Sequence, residues 1–308
     1  MTTNILRKIN HQINAGIYHG ASLSLYDKEK GWQRHYLGTL DGKDLTQADL
    51  IYDLASVSKV VGVGTLMIFL LHRGSLELDQ TLQTYYPAFQ HKQVTLRALL
   101  THSSGLDPFI PNRDQLSANQ LIEAMNQLQL TGDQTFHYTD VNFILLGLML
   151  ESLTGKSLDR LFQEEIFDPW QMTHTSFGPI PGAVPTLKGI TDGQVHDPKA
   201  KILGHHTGSA GLFSNLTDLE IFLQHYLIDD FASQLSQNYS FADKERSLAW
   251  DLQGDWLLHT GYTGTFIMFN RHHQKAAIFL TNRTYEKDDR QQWIEDRNEL
   301  IELIKEQL

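Results

Sequence analysis

Apolar positions along the chain follow two periods, and the period changes twice. Near the start Ile5, Leu6, Ile9 and Ile13 recur at helical spacing among polar residues, which predicts an amphipathic helix ending near Gly16. Two short apolar runs follow, Ala21 to Tyr26 and Trp32 to Leu37. The polar stretch Asp27-Lys28-Glu29-Lys30-Gly31 joins them, so they predict a β-hairpin. A third short piece, Ile51 to Leu54, leads into Ala55-Ser56-Val57-Ser58-Lys59 and a long apolar run to Leu71. Arg73-Gly74 closes that run with a helix stop signal.

From there the period stays near three and four. Leu96 to Thr101, Ser117 to Leu128, Val141 to Leu153 and Ser157 to Phe167 predict helices, with Gly155 parting the last two. Pro169, Pro179, Pro181 and Pro185, with Gly178, Gly182, Gly189 and Gly193, mark a loop-rich stretch to about His206 that reads as a cover over a site. Leu216 to Leu227 predicts another helix, with Asn215 or Thr217 near its start. Ser247 to Leu252, Asp255 to Thr260, Thr265 to Asn270 and Ala276 to Thr281 predict strands, and a last helix runs from about Asp288 with Trp293, Leu300, Leu303 and Ile304 on one face. Strands at both ends and helices between predict an α+β chain. One sheet domain takes residues 1–74 and 216–308, and residues 75–215 form a mainly helical domain with the loop-rich cover.

Composition narrows the function classes. Of 308 residues, 41% are hydrophobic and 20% charged, as in a folded globular chain. The 25 basic and 36 acidic side chains leave a net charge of −11, which disfavours nucleic acid or an anionic membrane as partner. No cysteine is present, so disulfides and thiolate chemistry are excluded. The first residues lack the continuous apolar stretch of a secretory signal, and Gly62 to Leu71 is too short to span a bilayer. The expectation is a cytoplasmic protein without a membrane span.

Ser56 and Lys59 stand one helical turn apart at the head of an apolar run. A serine hydroxyl needs a base to become a nucleophile, and a lysine serves only when burial or nearby positive charge makes it neutral. Spacing alone does not single out the pair, because about one chance match is expected in a chain of this composition. Read blandly, Ser56 is a capping serine and Lys59 a solvated cation.

The surroundings resemble the class C β-lactamase, penicillin-binding protein and family VIII esterase superfamily of serine hydrolases. The resemblance spans roughly residues 20 to 285. It rests on Leu54-Ala55-Ser56-Val57-Ser58-Lys59, on Leu70 to Asp79, on Thr95 to Leu106, on Tyr138-Thr139-Asp140 and on His259-Thr260-Gly261, in the family's order. It implies a β-lactamase/transpeptidase-like fold, an antiparallel sheet flanked by helices with a helical insertion. It further implies Ser56 as the acylated nucleophile, Lys59 as its base or the group that tunes the base, and Tyr138 as the second proton-transfer group. Backbone N–H groups of Ser56 and Tyr262 would form the oxyanion hole, with Asp140, His259, Thr260 and Gly261 against the substrate. The segment around His102 is mainly structural in that family.

Two positions depart from the family's pattern. Asp140 stands where asparagine is typical. It removes two amide donors, is able to pair with Lys59 and thereby to raise its pKa, and would otherwise serve as a helix cap before Val141. His259 replaces a lysine and loses a fixed positive charge that would greet a carboxylate. The expected activity is therefore hydrolysis of a small-molecule or peptide-like ester or amide through an acyl-enzyme. Alternatives are a β-lactamase, a D-Ala-D-Ala carboxypeptidase, or a catalytically silent binding or receptor protein. No cofactor is expected. His196, Asp197, His205 and His206 fall in a loop without metal-ligand spacing, so no metal is expected either. Trp170, Tyr262 and Phe266 would line a pocket or simply pack the core. Gly62-Val63-Gly64 lacks the third glycine of a dinucleotide fingerprint, and no Gly-x-Ser-x-Gly elbow is present.

Overall fold

Strands β1 (Gly20–Asp27) and β2 (Gly31–Gly38) form the expected hairpin, in register from Gly20 opposite Gly38 to Asp27 opposite Gly31. The computed structural model describes residues 2–308. Two short strands, β3 (Tyr52–Asp53) and β4 (Ser176–Phe177), precede β5 (Leu212–Ser214). The last strands are β6 (Asp251–Gln253), β7 (Trp256–Thr260), β8 (Phe266–Asn270) and β9 (Lys275–Thr281). The main sheet runs β2-β1-β9-β8-β7-β6, antiparallel throughout, so both ends of the chain build it as expected. A second sheet, β3-β5-β4, was not foreseen. Its strands are two or three residues long, too short for a period to register.

The helices, in chain order, are α1 (Thr2–Asn14), α2 (Thr65–His72), α3 (Leu82–Tyr85), α4 (Leu96–Leu100), α5 (Ala118–Asn126), α6 (Asp140–Thr154), α7 (Leu158–Phe162), α8 (Asp168–Trp170), α9 (Pro198–Leu203), α10 (Leu216–Ile228) and α11 (Arg290–Gln307). Successive strand side chains point to opposite faces. On β8 and β9, Phe266, Met268, Ala277 and Phe279 join Ile5, Ile9, Trp293, Leu300 and Ile304 of α1 and α11. Their neighbours Ile267, Phe269, Ala276, Ile278 and Leu280 join Phe222 and Tyr226 of α10 in the larger core. A strand buried on both faces has no polar face, which is why these strands read as continuous apolar runs. Each fully buried Phe or Ile side chain contributes about 1.5–3 kcal/mol.

Three expectations need correction. Ser247 to Leu252 is strand only at its end: Ala249 adopts φ +68°, and Arg246 folds back on Asp251 at 3.1 Å, so the chain turns before β6 begins. The helix expected from Ser56 to Leu71 is composite, with a 3-10 turn at Ala55–Val57, a π turn at Val60–Gly64, and then α2. Ser157 to Phe167 likewise divides into α7 and a π turn at Gln163–Phe167. The stretch Ala55–His72 has the length and apolar composition of a membrane span, yet 78% of it is buried inside the protein, where it forms the central core.

Candidate active site

Ser56 lies between β5 and the turn after β7. β5 holds its segment: Leu54 N–H donates to Leu212 O at 3.0 Å, and Leu212 N–H to Ser58 Oγ at 3.1 Å. The turn after β7 grips it from the other side, since Thr263 Oγ1 donates to Asp53 O at 2.9 Å and Thr265 Oγ1 to Leu54 O at 3.0 Å. The preceding residue, Ala55, adopts φ +46°, a strained conformation for a residue with a Cβ. Such strain persists only where surroundings over-determine it, and the Ser56 that follows is half-buried.

Lys59 is fully buried. Its Nζ donates to Ser56 Oγ at 2.8 Å, to Asp140 Oδ1 at 2.7 Å and to Ser209 O at 3.0 Å, so all three donors are used. Burial alone pushes this ammonium down. Asp140, and after it Tyr138, outweigh burial and hold it above the ordinary lysine range. In the resting site Lys59 is therefore charged. Asp140 does not cap its helix, because Thr139 is the N-cap and its hydroxyl accepts from Val141 N–H. Burial disfavours the Asp140 carboxylate too, but Lys59 and Lys199 hold it below the ordinary range.

Tyr138 comes from the loop before α6, with its ring centroid 5.1 Å from Lys59 Nζ. Two histidines flank it. His102 packs its ring 4.4 Å away, and His259 lies at 6.3 Å. His102 Nδ1 accepts from Thr139 N–H at 3.4 Å and faces Asn142 Nδ2 at 3.2 Å, so its proton sits on Nε2. Asn142 is held by Ser104 Oγ at 2.7 Å. His259 Nδ1 faces Thr260 O at 3.1 Å, and a carbonyl only accepts, so there the proton sits on Nδ1. Both rings are neutral. Burial, followed by neighbouring cations that include Lys59 and Arg246, holds each well below the ordinary histidine range.

Gly261 passes directly over the nucleophile segment. A Cβ there would meet Thr265 Oγ1 at 2.2 Å and Leu54 O at 2.6 Å, so only glycine lets the strand end approach this closely. The contact brings the backbone after Gly261, including Tyr262, beside Ala55 and Ser56. The Tyr262 ring itself is part-exposed between Arg283, at 4.7 Å, and His196, at 5.5 Å, and its hydroxyl donates to Asp288.

Beside His259 opens a cavity of about 430 Å³, lined among others by Lys244, Arg246, Asp251, Thr260 and Arg297. Arg297, from α11, donates to Thr260 Oγ1 at 3.2 Å. Arg246 is buried with its Nε unpartnered among the described residues. Lys244 and Arg246 both pair with Asp251 there, at 2.6 and 3.1 Å.

The structure brings together Ser56, Lys59, Tyr138, Asp140, His259, Thr260 and Gly261. It does not gather the histidines of the loop. His196 faces Thr186 at 3.1 Å, Asp197 caps α9 by accepting from Ala200 N–H at 2.9 Å, and His206 pairs with Glu151 at 2.8 Å. Phe266 is core, and Trp170 stacks on His225 at 4.2 Å away from Ser56. Sequence reasoning missed Lys199, Arg246, Arg297 and the contact of His102 with Tyr138. Lys199, Arg246 and Arg297 carry no motif, and His102 lies in a segment read as structural, so only their neighbours in the fold reveal them.

Comparison with known proteins follows the same lines. The family description "Beta-lactamase" matches residues 6–300. A protein of Escherichia coli O157:H7 that carries the provisional name D-alanyl-D-alanine carboxypeptidase is 28% identical, over 91% of this chain and 81% of its own. Among solved structures, the beta-lactamase/D-alanine carboxypeptidase of Pseudomonas syringae is similar with a TM-score of 0.77 at 17% identity, over 97% of this chain and 98% of that one. EstCE1, a hydrolase with promiscuous acyltransferase activity, matches with a TM-score of 0.78 at 16% identity, over 97% of this chain and 98% of its own.

Proposed function

As the chain belongs to the Beta-lactamase family, we propose that it is a serine hydrolase that cleaves an ester or amide through an acyl-enzyme on Ser56. The observation that carries this reading is the buried Lys59 ammonium, 2.8 Å from Ser56 Oγ and locked by Asp140. A charged Lys59 cannot accept a proton, so the base is Tyr138, whose ring lies 5.1 Å from the Lys59 ammonium. Tyr138 takes the Ser56 proton as Oγ attacks the substrate carbonyl, then gives it to the leaving group. In the second half it takes a proton from water, the hydroxide attacks the acyl carbon, and Tyr138 returns the proton to Ser56 Oγ. The N–H groups of Ser56 and Tyr262 serve the oxyanion.

A fluorophosphonate probe tests the reading. Wild type is labelled on Ser56, by intact mass and peptide mapping, and Ser56→Ala is not. Equal labelling of the variant refutes it.

One observation favours a narrower second reading, a peptidase for substrates ending in a carboxylate. Lys244 and Arg246 both pair with Asp251, at 2.6 and 3.1 Å, whereas Arg297 beside Thr260 makes no ion pair among the described residues and offers the cation that position 259 lacks. Release of D-alanine from a peptide ending in D-Ala-D-Ala separates this reading from a plain esterase.

A further inference from the structure

Lys199 is the charged group nearest the Lys59–Asp140 pair that the reaction above leaves unused. It stands on the first turn of α9, in the stretch read as a cover. Its Nζ lies 2.8 Å from Asp140 Oδ2 and 3.1 Å from Asp197 Oδ2. The other Asp140 oxygen, Oδ1, is 2.7 Å from Lys59 Nζ. One carboxylate therefore bridges two ammonium groups, and Lys59, Asp140, Lys199 and Asp197 form a row of alternating charge. The row is anchored at its far end, where Asp197 Oδ1 accepts the Ala200 N–H. The Lys199 side chain is only 12% exposed, so water screens these pairs weakly.

We infer that Lys199 is a positioning residue for acylation: it holds the second oxygen of Asp140, keeping that carboxylate ionised and turned to Lys59 rather than to the substrate. The inference rests on the hydrolase reading for its role and on geometry for its placement. An aspartate beside a site where an oxyanion develops on the substrate carbonyl is electrostatically unfavourable. Lys199 cancels that charge and occupies the oxygen that would otherwise be free. The sum over Lys59, Asp140 and Lys199 is then +1, the same as for Lys59 beside a neutral side chain. The other groups around Lys59 are Tyr138, Arg246 and the neutral rings of His102 and His259. None of them touches Lys199, whose partners are Asp140 and Asp197.

The test is a cycle of Lys199→Met, Asp140→Asn and the double variant in the full chain, with Lys199→Arg as the conservative change. Two readouts are taken: the midpoint of acid unfolding by circular dichroism, and the rate of fluorophosphonate labelling of Ser56 against pH. Without Lys199 the Asp140 carboxylate is protonated at higher pH, so its ion pair is lost earlier on acidification. Lys199→Met is expected to raise the acid midpoint and the acid limb of labelling by about one pH unit, and to slow labelling about tenfold. Lys199→Arg stays near wild type. Adding Lys199→Met to Asp140→Asn leaves the limb in place and moves the midpoint less than in wild type, by the lost Lys199–Asp197 pair alone.

Wild-type behaviour of Lys199→Met overturns the inference. So does a limb shift, or an undiminished midpoint shift, that persists in the Asp140→Asn background, because Lys199 would then merely support α9. A wild type that takes no label sinks the hydrolase reading instead, and the acid-unfolding cycle still decides the role of Lys199.

Discussion

Asp53 shows how much one side chain next to the nucleophile segment senses pH. It is fully buried, and burial pushes its carboxyl up to about 6, against N–H groups donated by His196 at 2.7 Å and Ala55 at 2.8 Å. In the unfolded chain an aspartate titrates near ~3.9. The folded state therefore binds this proton more tightly, and stability falls as pH rises from about 4 to about 6. The loss is about 3 kcal/mol at most. Urea unfolding at pH 4.5 and 7 should show it in wild type and not in Asp53→Asn; equal pH slopes in the two proteins would refute the assignment. None of this was legible in the sequence, where Asp53 is one acidic residue in a short apolar piece. Lys59 is a mixed case. Its nearness to Ser56 follows from local spacing, whereas its charge state depends on Asp140, 81 residues further on, and through it on Lys199.

At the scale of elements, the apolar run after Lys59 announced a helix, and a helical stretch is there. Its π turn at Val60–Gly64 was not legible, because apolar period does not distinguish i→i+4 from i→i+5 hydrogen bonding. Packing explains the local glycines instead. A Cβ on Gly62 would lie 2.5 Å from the Phe162 ring, which is itself buried and stacked on Phe177. Gly62→Ala should therefore destabilise the fold by about 1–3 kcal/mol, read as a lower melting temperature by calorimetry. Adding Phe162→Leu should recover part of the loss, and an unchanged melting temperature in Gly62→Ala would show that the ring moves freely. The same logic explains why Ser247 to Leu252 misled. Its residues are apolar because Leu248, Ala249 and Trp250 are buried, not because they pair in a sheet.

Across the whole molecule, both ends of the chain build the sheet, and this decides who meets at the site. Arg297 arrives from α11, Arg246 from the turn before β6, His259 and Thr260 from β7, and Tyr138 from the loop before α6. On the peptidase reading, Arg297→Gln should raise KM about tenfold for a peptide ending in a free carboxylate. It should leave kcat, and the kinetics on the corresponding C-terminal amide, little changed. Steady-state D-alanine release measures both, and an equal effect on the two substrates would assign Arg297 to Thr260 positioning alone.

By itself the sequence determined what depends on neighbours a few residues away. That includes the amphipathic start, the β1–β2 hairpin, the helices between and the Ser56–Lys59 pairing within one turn. With motif order, the family resemblance also implied that Tyr138 and His259-Thr260-Gly261 lie together, and the fold brings Tyr138 within 6.3 Å of His259. Tertiary structure decided the rest: the second sheet, the strained φ of Ala55, the ionised Lys59 held by Asp140 and Lys199, the neutral tautomers of His102 and His259, and the placing of Arg297 beside Thr260. The physical reason is that charge state and tautomer are set by groups a few ångströms away in space. Those groups come from elements far apart in the chain, and no local period or spacing records them.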